Sequence, residues 1–266
     1  MKTTTILAPT IALLLALPAV AQAKDPTAKE VVTRAWNTSK LPGAEMISTL
    51  TILNKKGDKR VRKTASVSKL YDDGKTEKRL IRFLSPADVK GTGLLSYDYE
   101  DKDDDIWFFL PSLRKTRRIV SSEKSKAFMG SEFTYADITP GSVDDFTYKL
   151  LGAEKADGVD CWIIEATPRD KAIAKENGYS KRKAWFGKAD YVVRKAETMD
   201  LKGKKLRELV ATGVKKIEGA ADKYRPTRLE SKNMQNGRSS VMDIKKLKLR
   251  AEIPDKYFTT RYLERF

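Results

Sequence analysis

The sequence predicts a mainly β protein of the α+β class, built on a single curved antiparallel sheet covered by short helices. Three observations lead there. From Ala44 onward apolar residues recur with a period of two, broken by turn signals such as Asp72-Asp73-Gly74-Lys75. Helical spacing is confined to one segment near the start and a few short ones later. No Pro-, Gly- or Ser-rich linker and no internal repeat divides the chain, so one sheet must run its length. A sheet that long has to curl, and helices then cover its concave side.

The chain begins with Lys2, an apolar run over residues 6–20 and the small-x-small pattern Ala21-Gln22-Ala23. This is the signature of a cleaved secretory signal peptide over residues 1–23, and the run is too short for a membrane span. Lys24, not cysteine, stands directly after the cleavage point, so a soluble exported domain over residues 24–266 is expected. At 40% hydrophobic and 33% charged residues, the full chain has the composition of one that buries a core rather than a disordered one.

Pro26, then Thr27 with Glu30 as a capping box, open a helix whose Ala28, Val31, Val32, Ala35 and Trp36 share one face. Leu41-Pro42-Gly43 ends it. Strands are expected over residues 44–53, 59–71, 77–84, 94–99, 106–110 and 115–120, joined by turns at 54–58, 72–75 and 100–105. Residues 121–130 are expected as a short helix and 133–138 as a loop or helical turn. Strands follow over 146–153 and 159–167. A short helix opened by Pro168-Arg169-Asp170 is closed by Asn177-Gly178. Strands over 183–200 (with a turn near Gly187), 206–217, 227–234 and 239–249 complete the meander.

The net charge of +17 ordinarily points to nucleic acid or an anionic membrane. Export argues against nucleic acid and leaves lipid headgroups, envelope polysaccharide or an acidic protein. Lysines and arginines on solvent faces also protect strand edges. Cys161 is the sole cysteine, so no internal disulfide forms, and its place beside Trp162 makes it a buried small residue.

Enzyme chemistry finds little support. The chain has no histidine, which excludes an ordinary catalytic triad, an HExxH zinc site and an imidazole base. Asp101, Asp103 and Asp105 have the spacing of a calcium loop. Ile106 stands where its glycine is needed and Ser112 where its glutamate is needed, so a solvated hairpin turn is the better account. Gly91-Thr92-Gly93 lacks the third glycine of a phosphate loop. Glu165, beside Ile163 and Ile164, points outward from a strand. No catalytic residue, metal or cofactor is expected.

The aromatic residues carry a stronger signal. Trp107 and Phe109 share one face of their strand and Phe108 and Leu110 the other, followed by Phe128, Met129, Phe133 and Tyr135 in the connection. Several strands are apolar on both faces where one sheet needs only one. A concave sheet lined this way and covered by helices makes an apolar pocket suited to an acyl chain. The candidate lining is Leu50, Ile52, Phe83, Leu95, Trp107, Phe109, Phe128, Met129, Phe133, Tyr135, Trp162 and Trp185. The basic strand Arg114, Lys115, Arg117 and Arg118 puts cations on both faces, as a headgroup or partner contact would require.

Three segments stand out by their motifs. The first runs from Gly91-Thr92-Gly93 through Asp105-Ile106-Trp107 and Leu110-Pro111-Ser112-Leu113-Arg114-Lys115 to Arg117-Arg118-Ile119. The second is Phe128-Met129-Gly130-Ser131-Glu132-Phe133-Thr134-Tyr135-Ala136-Asp137. The third is the ending with Ile253-Pro254, Phe258, Thr259, Tyr262 and Leu263. The Leu-Pro and Phe-Met-Gly-Ser parts are the most distinctive, and together the three segments resemble the outer-membrane lipoprotein-sorting proteins of the LolA-like superfamily. The resemblance implies an incomplete β-barrel, closed by helices around a hydrophobic cavity. It also implies a periplasmic carrier, a monomer without cofactor, that shuttles a lipid or lipoprotein toward the outer membrane by its acyl chains. Members of this branch are often encoded beside RND/MMPL-type exporters. An inner-membrane RND exporter, an outer-membrane acceptor and transient membrane contact are therefore the expected partnerships, and nucleic acid is not. The alternative is an accessory or sensor subunit of such an exporter, using the fold as a docking surface.

Overall fold

Strand alternation on this scale resolves into two meanders that share one sheet. The computed structural model describes residues 25–139 and 141–265; the expected signal peptide lies outside them. Helix α1 (Ala28–Ser39) is capped as its sequence predicts. The Glu30 N–H donates to Thr27 Oγ1 at 3.3 Å and the Thr27 N–H to Glu30 Oε2 at 2.7 Å.

The first meander runs through β1 (Gly43–Leu53), β2 (Lys59–Tyr71), β3 (Thr76–Ser85), β4 (Gly93–Tyr99), β5 (Asp105–Leu110) and β6 (Lys115–Ile119). After helix α2 (Tyr135–Ile138) comes the second, through β7 (Phe146–Ala156), β8 (Val159–Pro168), helix α3 (Lys171–Asn177), β9 (Lys181–Gly187), β10 (Val193–Met199) and β11 (Lys205–Thr212). A small ribbon, β12 (Lys215–Lys216) and β13 (Tyr224–Arg225), precedes β14 (Arg228–Asn233) and β15 (Ser239–Leu249), and α4 (Thr260–Leu263) ends the chain. The two meanders join where β1 pairs with β15, giving one curved, unclosed antiparallel sheet of thirteen strands. Its edges are β6 and β7, consecutive in sequence, so residues 120–145 must cross from one edge to the other.

That crossing covers the concave face of the first meander. Phe128, Phe133, Tyr135 and Ile138 pack with Leu50, Ile52, Ile81, Phe83, Leu94, Ile106 and Phe108 in one buried cluster. The expected helix over 121–130 is instead two single 3-10 turns, Ser121–Glu123 and Phe128–Gly130. Several of its backbone bonds leave the segment: the Phe128 N–H donates to Phe133 O at 2.8 Å, and Ala127 bridges Thr134. Met129, at φ 52°, cannot continue a right-handed helix. The expected strand over 206–217 stops at Thr212 because Gly213 turns in the left-handed region (φ 63°), its carbonyl accepting from Thr227.

The convex face of the first meander is covered as well, by the C-terminal segment. Ile253, Phe258 and Leu263 bury Leu80, Leu95 and Phe109. Both faces of β3–β5 are therefore interior, which explains their near-continuous apolar sequence. No helix among the described residues is long and apolar enough to cross a membrane.

Candidate functional site

Cross-strand register decides what the concave face of the second meander presents. Ile164 pairs with Ala184, Ala184 with Ala196 and Ala196 with Leu209, so these four stand in one row across β8–β11. Ala166 lies beside them, opposite Tyr148 and Arg182. The first meander carries Phe83, Leu94 and Phe108 in the equivalent rows and is filled by the crossing segment. Alanines leave room where those large side chains do not. The result is a cavity of about 420 Å³, within the range of small-molecule sites.

Its walls come from several elements. Helix α1 contributes Val32, Ala35 and Trp36; the crossing segment contributes Phe133 and Ala136; β7 and β9 contribute Phe146, Tyr148 and Phe186; Tyr179 and Tyr191 close the sides. One end is polar, formed by Asp137, Arg182 and Arg225. Burial alone would push the Asp137 carboxyl up. Arg207, with a 2.6 Å contact, and then Arg182, at 4.0 Å, overcome this and hold it below the usual carboxylate range.

A second, polar pocket of about 140 Å³ adjoins this end and shares Trp36, Ser39, Asp137 and Arg225 with it. It contains Lys40, Glu77, Arg79, Asp98 and Glu100. Arg79 pairs with Glu77 at 2.7 Å and donates to Ile138 O at 2.9 Å. Burial, and then the charge of Asp104, push the Asp98 carboxyl up to about 8. Asp104 is itself paired at 2.8 Å with the buried Lys124, whose second partner is Glu176 at 2.9 Å.

The crossing segment is pinned over the sheet at Glu132, which is 8% exposed. Its carbonyl accepts from Arg207 Nη1 at 2.8 Å and Ser231 Oγ at 3.1 Å. Its carboxylate accepts from Asn233 Nδ2 at 3.0 Å and pairs with Arg238 at 3.1 Å, and its N–H donates to Ser240 Oγ at 3.0 Å. Arg207 thus holds both Glu132 and Asp137, the two acids of the distinctive segment over residues 128–137.

Of the twelve candidate lining residues, Phe133 lines the cavity. Leu50, Ile52, Phe83, Phe128 and Tyr135 are on the concave side with Met129 packed against them, inside the filled cluster beside the cavity. Trp162 is also concave, stacked on Tyr191 at 5.7 Å under α1. Leu95, Phe109 and Trp107 are on the convex face against the C-terminal segment. Trp185 is convex too, beside the buried Cys161 and Ile163, with its indole N–H donated to Glu154. The cause is common to these: alternation separates two faces but does not say which is concave, and here both are covered.

The basic strand sits on the edge of the sheet, away from the cavity. Arg117 pairs with Glu123 at 3.0 Å and Arg118 with Asp105. Arg114 and Lys115 are exposed at the turn into β6. Of the cations that do reach the cavity, Arg182 lies in β9 of the second meander and Arg225 in the small β12–β13 ribbon. Neither carried a sequence signal, because both fall just outside the strands expected over 183–200, 206–217 and 227–234.

A family model described as an uncharacterized protein matches residues 75–265, while no curated protein matches the chain. Among solved structures, a DUF1329 family protein from Desulfovibrio piger is 31% identical with a TM-score of 0.82, covering 90% of this chain and 100% of its own. A domain from Vibrio parahaemolyticus described as an outer membrane lipoprotein-sorting protein is 28% identical with a TM-score of 0.81, covering 90% and 98%. A LolA superfamily protein from Nitrosomonas europaea, 23% identical over 90% of this chain and 100% of its own, has a TM-score of 0.69 and shares the fold. The unclosed sheet with its covered concave face is a fold shared with the Vibrio and Nitrosomonas proteins, and the match to the Desulfovibrio piger protein over 90% of the chain places this protein in the DUF1329 family.

Proposed function

We propose that this protein is a carrier that takes acyl chains of a lipid or lipoprotein into the cavity over β7–β11. It acts in the periplasm, moving its cargo toward the outer membrane through transient membrane contact, with an inner-membrane RND exporter and an outer-membrane acceptor as partners. The carrying observation is the cavity itself: about 420 Å³, walled by aliphatic and aromatic side chains, beneath a crossing segment tied to both sheet edges. Binding follows from apolar burial, at about 0.8 kcal/mol per methylene removed from water. The sorting role given to the Vibrio relative supports the same class of cargo.

Native mass spectrometry of protein purified from a bacterial envelope, with uptake of a fluorescent fatty acid, tests this. Lipid adducts are expected in the wild type, and uptake is lost in Ala184→Trp, which places an indole in the cavity floor. Absence of lipid together with absence of uptake refutes the carrier role.

A further inference from the structure

The polar end of the cavity contains one cation that the fold does not neutralise. Arg225 lies in β13, and it and Lys223 just before that strand reach the C-terminus of α1. Lys223 Nζ donates to Asn37 O at 2.6 Å, and Arg225 Nη2 donates to Ser39 O. Those bonds satisfy carbonyls that a helix end leaves open. Capping accounts for one nitrogen of the Arg225 guanidinium. Its Nε is buried without a hydrogen-bond partner, and among the described residues no carboxylate lies within ion-pair distance of it. Its nearest charges include Arg79 as well as Glu77. Burial, and then the like charge of Arg79, pull its pKa below the ordinary guanidinium value.

The acids around it are committed elsewhere. Glu77 is paired with Arg79, Asp137 with Arg207, and Asp98 is kept largely protonated at neutral pH. Arg225 lines both the apolar cavity and the polar pocket. A buried guanidinium in that position is costly unless an anion meets it. A chain lying on the alanine floor has its end at this boundary.

We infer that the cavity is selective for amphiphiles with an anionic head, carboxylate or phosphate, seated against Arg225. This rests on the carrier reading and narrows it to acidic cargo. It also moves the headgroup contact from the edge strand, where Arg117 and Arg118 already have carboxylate partners, to the interior.

The test compares a fluorescent fatty acid with its methyl ester, and a lysophosphatidic acid with the matching monoacylglycerol, on wild type, Arg225→Gln and Arg225→Lys. Wild type is expected to bind each acid about tenfold or more tightly than its neutral partner, as a charge-assisted contact requires. Arg225→Gln loses that preference while keeping ester affinity, and Arg225→Lys keeps part of it. A preference for only one of the acids identifies the head as carboxylate or phosphate. Equal wild-type affinity for acid and ester overturns the inference and leaves the carrier role standing. A preference that survives in Arg225→Gln also overturns it. Binding of none of the four probes overturns both. The wild-type comparison decides even if Arg225→Gln does not fold.

Discussion

Removing the side chain of Leu263 separates the two cores that share the first meander. Leu263 is fully buried on the convex face, in one cluster with Leu80, Leu95, Phe109, Ile253 and Phe258. Leu263→Ala deletes three carbons with no polar group involved. Buried Leu→Ala changes cost about 2–5 kcal/mol, and a terminal helix that can partly settle belongs near about 3. For a chain of this size a urea slope of about 3 kcal/mol per M converts that into a midpoint lowered by about 1 M. Trp107 packs against the cluster, so its fluorescence reports the transition. Fatty-acid uptake by the folded fraction should be unchanged, because the cluster lies across the sheet from the cavity. A loss under about 0.5 kcal/mol would show that the C-terminal segment is not a true cover. A loss of uptake equal to that of Ala184→Trp would refute the assignment of the two faces.

Three further outcomes are expected. Arg207→Met leaves the buried Asp137 carboxylate without its closest partner and should cost about 3 kcal/mol; the double variant with Asp137→Asn should recover part of it, and strict additivity in denaturant titrations would contradict the clasp. Asp98 holds its proton more tightly folded than unfolded, so its contribution to stability falls as pH climbs from about 4 to about 8. Asp98→Asn stays uncharged throughout, and its melting temperature relative to wild type should rise between pH 5 and pH 8; a parallel pair of profiles would contradict the assignment. A Cβ on Gly93 would stand 2.5 Å from Leu263 Cδ1, so Gly93→Ala should displace α4 and quicken proteolysis at the C-terminus, measured by limited digestion.

The strands were legible because alternation and turn residues are local. Asp72-Asp73-Gly74 turns where its sequence says, with all three residues at positive φ. The faces were harder. Trp107 and Phe109 separate cleanly from Phe108 and Leu110, yet each pair packs into a core. The chain that covers the convex pair lies far along the sequence, at Ile253 to Leu263. The cavity escaped for the opposite reason. Large aromatics draw attention to the first meander, whereas space is made by Ala166 and Ala184, small residues that advertise nothing alone. Arg182 and Arg225 meet at its end only because β9 and β13 are brought together in three dimensions.

The join between the two meanders governs how this chain can be made. Ala44 pairs with Leu249 and Leu53 with Ser239, so the middle of the sheet is assembled from the two ends of the described chain. Neither half can complete its sheet until the last strand is available, and pairings of such separation close slowly. A chain with its C-terminal strand still withheld would expose the edges of β1 and β14 together.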